Sequence, residues 1–221
     1  MSQGARVVLF DLDGTLTDPF VGITSSIQYA LAKMGRLVPS ADDLRWCIGP
    51  PLQDSFKTLL NTDDEAVAWE GVAHYRERYS SVGLFENTVY DGIPAALQAL
   101  QESGRKLSLA TSKPLVQASR IVEHFGLSTY FDALHGSELD GARSRKGELI
   151  AYILSEHDWL AADAIMVGDR EHDVLGAQAN NVATIAVSYG YGSMDELRAH
   201  RPDFICASPA DIVQTILANA A

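Results

Sequence analysis

The chain has 221 residues, room for one large domain or two smaller ones, and 47% are hydrophobic, enough for a full core. Lys and Arg number 17 against 29 Asp and Glu, a formal charge of −12 that argues against long nucleic acids and anionic membranes as partners. A small anion in a locally basic pocket stays open. The two cysteines, Cys47 and Cys206, are too few and too distant for a disulfide framework. The polar start Met1-Ser2-Gln3-Gly4 shows no leader pattern, and no apolar run approaches the roughly 20 residues of a membrane helix. A cytoplasmic protein with no membrane partner is expected.

Residues 7–10, all apolar, read as a buried strand that runs into Asp11-Leu12-Asp13-Gly14-Thr15. Residues 18–83 then contain no convincing strand. Asp18-Pro19 opens a helix with Ile23, Ile27, Ala30, Leu31 and Met34 on one face. Shorter helices are predicted over 41–46 and 52–60. Thr62-Asp63-Asp64-Glu65 has capping-box spacing and opens a long helix to about residue 79. Beyond this insert, short apolar runs at 107–110, 164–167, 183–187 and 204–206 read as parallel strands. Helical spacing appears between them: Ile93, Ala96, Leu97, Leu100; Leu115, Ala118, Val122, Phe125; and Leu149, Ile150, Ile153 within a helix at 147–155. Ser208-Pro209 caps and starts a last helix over 210–218. The alternation predicts a doubly wound, Rossmann-like parallel α/β sheet. Residues 1–17 and 84–221 form this core, and 18–83 an inserted all-helical cap, with Thr17-Asp18 and the surroundings of Gly83 as linkers. A helical insert at this edge of a parallel sheet is a natural lid over the ligand crevice.

The chemistry-bearing residues fall at strand ends. Side chains two apart on an extended backbone point the same way, so Asp11 and Asp13 crowd together. Such a pair repels unless a cation intervenes or one member is protonated. A carboxylate nucleophile at Asp11, an acid/base at Asp13 and Mg²⁺ resolve the conflict and suit phosphoryl transfer. The plain alternative is an Asp-Gly turn. Thr111 closes the second strand, where its hydroxyl and the Ser112 amide at a helix start can bind a phosphoryl group; a simple helix cap is the rival. Lys146 heads a helix, where a cation is electrostatically misplaced unless it serves an anion or nearby carboxylates. Arg143 and Arg145 are close enough in sequence to compete for that role. Asp169 ends a further strand, and Asp173, four residues on, can face the same site. Mg²⁺ takes hard oxygen ligands, which Asp11, Asp169 and the Asp13 carbonyl supply.

Together these four motifs resemble those of the haloacid dehalogenase-like phosphatases, across nearly the whole chain. Asp11-Leu12-Asp13-Gly14-Thr15 matches the first motif, Thr111 or Ser112 the second, Lys146 the third, and Gly168-Asp169 with Asp173 the fourth. The resemblance implies Asp11 as nucleophile and metal ligand, Asp13 as acid/base, and Thr111 with Lys146 as holders of the phosphoryl group. It further implies Asp169 as a Mg²⁺ ligand and Asp173 as support for the metal or Lys146. The chain is similar to the phosphoglycolate phosphatase and 5′-nucleotidase groups. Ile48-Gly49-Pro50-Pro51-Leu52, Thr111-Ser112-Lys113-Pro114 and Tyr189-Gly190-Tyr191-Gly192-Ser193 lean to the nucleotidase side. Lys146-Gly147 departs from the usual Lys-Pro of the third motif. The expected partner is a small phosphorylated metabolite, and the expected assembly a monomer or homodimer. A phosphomutase, a dehalogenase and an inactive phosphate-binding protein are the rivals.

Specificity is expected in the cap, with Arg45, Gly49 and Pro50 as candidate substrate contacts. Trp46 can stack on a base, but packing inside the cap is its favoured place. Tyr75, Arg76 and Tyr79 lie near one helix face and suit packing equally well.

Overall fold

A computed structural model describes residues 5–218. In chain order its elements are β1 (Val7–Phe10), β2 (Thr17–Asp18), α1 (Phe20–Lys33), α2 (Leu52–Leu60), α3 (Glu65–Arg78), β3 (Thr88–Val89), α4 (Ile93–Glu102) and β4 (Lys106–Pro114). There follow α5 (Leu115–His124), β5 (Ala133–Ser137), α6 (Lys146–Glu156), β6 (Ala164–Gly168), α7 (Glu171–Gln178), β7 (Ala183–Val187), α8 (Met194–Ala199), β8 (Phe204–Cys206) and α9 (Pro209–Ala218). Two compact units result among the described residues: 5–18 with 89–218, and 19–88.

The first unit is built on a six-stranded sheet in the order β5-β4-β1-β6-β7-β8, with parallel pairing throughout. All four residues of β1 are buried, as a central parallel strand requires. Val7 and Leu9 pack with Leu149, Ile150 and Ile153 of α6 and Ala177 of α7. Alternation sends Phe10 to the opposite face, where its ring meets Phe131 edge-on at 6.4 Å. The chain leaves β1 for β4 and β5 on one side and β6, β7 and β8 on the other. The crevice beyond β1 is therefore a topological switch point, the usual ligand position in such sheets.

β5 is a strand that periodicity does not reveal. Ala-Leu-His-Gly-Ser has no β-branched residue, and it lies at the sheet edge. β4 runs on to Pro114, past the expected end at residue 110, so α5 starts at Leu115.

The second unit is helical. α3 begins one cap later than its capping-box spacing predicts: Asp64 Oδ1 accepts from the Ala66 amide at 2.8 Å, while Thr62 Oγ1 accepts from Asp64 itself. α1 likewise starts at Phe20 without a side-chain cap. Gly22 faces the backbone of Gly83, and a Cβ on Gly22 would lie 2.1 Å from the Gly83 carbonyl oxygen. Gly83 thus belongs to close packing within this unit, which continues to Thr88. Arg78 holds it there through two bonds to Glu86, at 2.7 and 2.9 Å. Tyr75 and Tyr79 are buried and stack at 4.8 Å. Trp46 departs from expectation: it is 40% exposed. Leu44 and Cys47, three apart on the same 3₁₀ turn, take the inward side and leave Trp46 off it.

Candidate active site

Register assembles the site. Phe10 pairs with Leu109 on one side and Val167 on the other, so Asp11, Ala110-Thr111 and Gly168-Asp169 leave the sheet side by side. The Asp11 amide continues this pattern by donating to the Val167 carbonyl at 2.9 Å. Gly14 then turns the chain at φ +86°, and a Cβ there would lie 2.1 Å from Asp169 Oδ2. Only glycine lets this turn pass so close to the carboxylate.

Asp11, Asp169 and Asp173 each offer an oxygen within 4.8 Å of the others, and all three are buried. Lys146 lies among them. Its ammonium donates to Asp11 Oδ1 and the Ala110 carbonyl, both at 2.8 Å, and pairs with Asp173 Oδ1 at 2.8 Å. Arg143 pairs instead with Glu138, so of the three neighbouring cations it is Lys146 that serves the carboxylates. Asp173 is held in turn by the Arg170 amide at 3.1 Å, and Asp169 Oδ2 by the Tyr191 amide at 2.7 Å.

Burial sets the electrostatics. It pushes the Asp11 carboxyl up to about 6, against the pull of Lys146 and with the help of Asp173 and Asp13. Asp169 is raised well above the carboxylate range by burial, then by Asp173 and Asp11. Burial alone would lower Lys146, but Asp11 and Asp173 outweigh it and hold the ammonium above its usual value. Three buried carboxylates share one buried ammonium, so their full ionisation calls for a further cation. Asp13 Oδ1 and Asp169 Oδ1 are buried without a hydrogen-bond partner among the described residues. Hard oxygen donors, orphaned oxygens and carboxylates that resist ionising together fit a divalent cation of the Mg²⁺ type.

Lys113 was not assigned a role by the sequence pattern, although it stands inside the Thr-Ser-Lys-Pro run. Its ammonium is 2.7 Å from Asp13 Oδ2, with both side chains largely buried. A bulge brings it there: Ser112 and Lys113 of β4 oppose no residue between Gly136 and Ser137 of β5. The same bulge corrects the reading of Ser112. Its amide lies in the strand, three residues before α5, and is not part of a helix N-terminus. Thr111 Oγ1 is buried and accepts from the Lys113 amide at 3.2 Å. Tyr191 also supplies a contact that spacing did not show, a hydrogen bond from its hydroxyl to Asp18. Arg45, Gly49 and Pro50 lie in the helical unit, where Arg45 stands 5.2 Å over the Phe20 ring and Gly49 adopts φ +108°.

A family model described as haloacid dehalogenase-like hydrolase matches residues 8–187. A 5′-nucleotidase from Pseudomonas aeruginosa is 52% identical over 209 residues, covering 95% of this chain and 94% of that protein. The tyrosine-protein kinase PtkA of Mycobacterium tuberculosis is 38% identical over 193 residues, covering 87% of this chain and 65% of its own length. Among solved structures, a protein described as a predicted phosphatase from Clostridium acetobutylicum superposes with a TM-score of 0.94 at 45% identity, covering 97% of this chain and 99% of that one.

Proposed function

Because the chain belongs to the haloacid dehalogenase-like hydrolases and is a phosphomonoesterase of that family, we propose that it hydrolyses a 5′-nucleotide through an aspartyl-phosphate on Asp11, with Mg²⁺ as cofactor. The buried cluster of Asp11, Asp169 and Asp173 around Lys146 carries the mechanistic part. The 52% identity to a 5′-nucleotidase supports the substrate.

The Asp11 carboxylate attacks phosphorus, and the bond to the leaving oxygen breaks as Asp13 delivers a proton to the departing alkoxide. Water then attacks the phosphoryl group, Asp13 takes its proton, and inorganic phosphate leaves with Asp11 restored. Lys146 fixes Asp11 through Oδ1 and adds positive charge where the phosphoryl oxygens gain negative charge. Thr111 accepts a backbone hydrogen bond and keeps its O–H to donate to the same group. Ser112 is the second phosphate-side residue. Asp11, Asp169 and the Asp13 carbonyl would hold Mg²⁺, with Asp173 supporting Lys146; the metal supplies charge neutralisation at the phosphoryl oxygens. Arg45, Gly49 and Pro50 are the proposed selectors of the leaving group.

A panel of nucleoside 5′-monophosphates, phosphoglycolate and sugar phosphates with Mg²⁺ tests this. The highest kcat/KM is expected on a nucleotide, and Asp11→Asn should abolish phosphate release. Preference for phosphoglycolate would move the substrate, isomer formation without phosphate release would indicate a mutase, and an active Asp11→Asn variant would remove the nucleophile.

A further inference from the structure

We propose that His135, Glu156 and His157 form a second metal site, for a divalent ion of the Zn²⁺ class, at the end of α6 opposite Lys146. α6 has 11 residues. At about 1.5 Å per residue its ends stand roughly 15 Å apart, so this site is separate from the acidic cluster.

His135 comes from β5, Glu156 is the last residue of α6, and His157 follows it. His135 Nε2 is 3.1 Å from Glu156 Oε2 and 3.1 Å from His157 Nε2. All three atoms lie within 4.8 Å of one another. Tetrahedral ligands at about 2.1 Å from Zn²⁺ would be roughly 3.4 Å apart, so little movement is needed.

Proton accounting points the same way. With the Ser108 hydroxyl donating to the Leu109 carbonyl at 3.2 Å, its oxygen is placed to accept from His135 Nδ1–H at 2.9 Å. In that tautomer His135 Nε2 carries a lone pair aimed at a carboxylate oxygen. Two acceptors facing each other at 3.1 Å repel, and three arrangements relieve them: a second proton on His135, an N–H donated by His157 Nε2 at 3.1 Å, or a metal held by all three groups. Burial of His135 works against the second proton.

The two imidazoles have outer neighbours, as in other metal sites. Ser108 stands 2.9 Å from His135 Nδ1, and the Trp159 ring stacks on His157 at 4.3 Å. The Glu156 side chain is 42% exposed, which leaves an open side for solvent or a fourth ligand. Two imidazoles and a carboxylate select Zn²⁺, Ni²⁺ or Cu²⁺ over Mg²⁺. Such an ion would tie edge strand β5 to the helix whose first residue is Lys146.

The test is calorimetric titration of Zn²⁺ into untagged, metal-stripped protein in excess Mg²⁺. One Zn²⁺ per chain is expected. His157→Ala and Glu156→Gln, both at solvent-accessible positions, should each weaken it about tenfold or more, with unchanged circular dichroism; Asp169→Asn should retain it. Imidazole ¹⁵N spectra should show Zn²⁺ perturbing His135 at Nε2 and not at Nδ1. Unchanged affinity in both the His157 and Glu156 variants, or Zn²⁺ uptake lost only with Asp169→Asn, would overturn the site and leave a protonated His–Glu pair.

Discussion

The Lys113 ammonium stands 2.7 Å from Asp13 Oδ2 in a nearly closed environment. Removing one partner of such a pair strands the other's charge, at roughly 3 kcal/mol or more. Lys113→Met should therefore lower stability by about that amount in urea denaturation, and Lys113→Met/Asp13→Asn should recover part of it. Simple additivity of the two substitutions would mean the pair is not coupled. If Lys113 also positions Asp13 for proton transfer, the single variant loses kcat more than KM, roughly tenfold to a hundredfold, with partial rescue by Lys113→Arg. The chain order hides this pairing because the two residues are 100 positions apart and only the β4 bulge brings them together. Asp11, Lys146 and Asp169, by contrast, are legible as types: a carboxylate or ammonium at the end of a buried run needs a reason to be there.

Elements were legible to the degree that their apolar period was unbroken. β1, β6 and β7 are short buried runs, and α4 and α5 carry regular apolar spacing; all five appear close to where the pattern puts them. β5 escapes because Ala-Leu-His-Gly-Ser has neither a β-branched residue nor an apolar run, although its last three residues are buried. Local capping chemistry also misled: Thr62 has the right spacing, yet Asp64 is nearer the amides that need an acceptor. Close helix packing is invisible in spacing altogether. A Cβ at Gly22 would sit 2.1 Å from a backbone oxygen that cannot swing aside. Gly22→Ala should thus destabilise the protein by roughly 1–3 kcal/mol in urea. Helix propensity alone would instead stabilise by up to about 1 kcal/mol, so a gain would refute the packing argument.

For the whole molecule, the acidic cluster links folding to pH and metal. Asp11 has its pKa raised from 3.8 to about 6, so the folded state holds its proton more tightly than the unfolded chain does. Its contribution to metal-free stability is greatest below about pH 4 and is lost as the pH rises through about 6. Mg²⁺ favours the carboxylate form. The Tm difference between Mg²⁺ and EDTA should therefore widen from pH 4.5 to pH 7.5, and a constant difference would exclude Asp11 as a ligand. No helix among the described residues is long and apolar enough to cross a membrane. Periodicity and misplaced charge are local signals, so the α/β class, the helical insert after the first carboxylates and the residues at the strand ends can be read along the chain. That Lys146 pairs with Asp11 and Asp173, Lys113 with Asp13, and His135 with Glu156 and His157 emerges only in the folded chain. Those pairings depend on parallel register and a bulge, which join residues far apart along the chain.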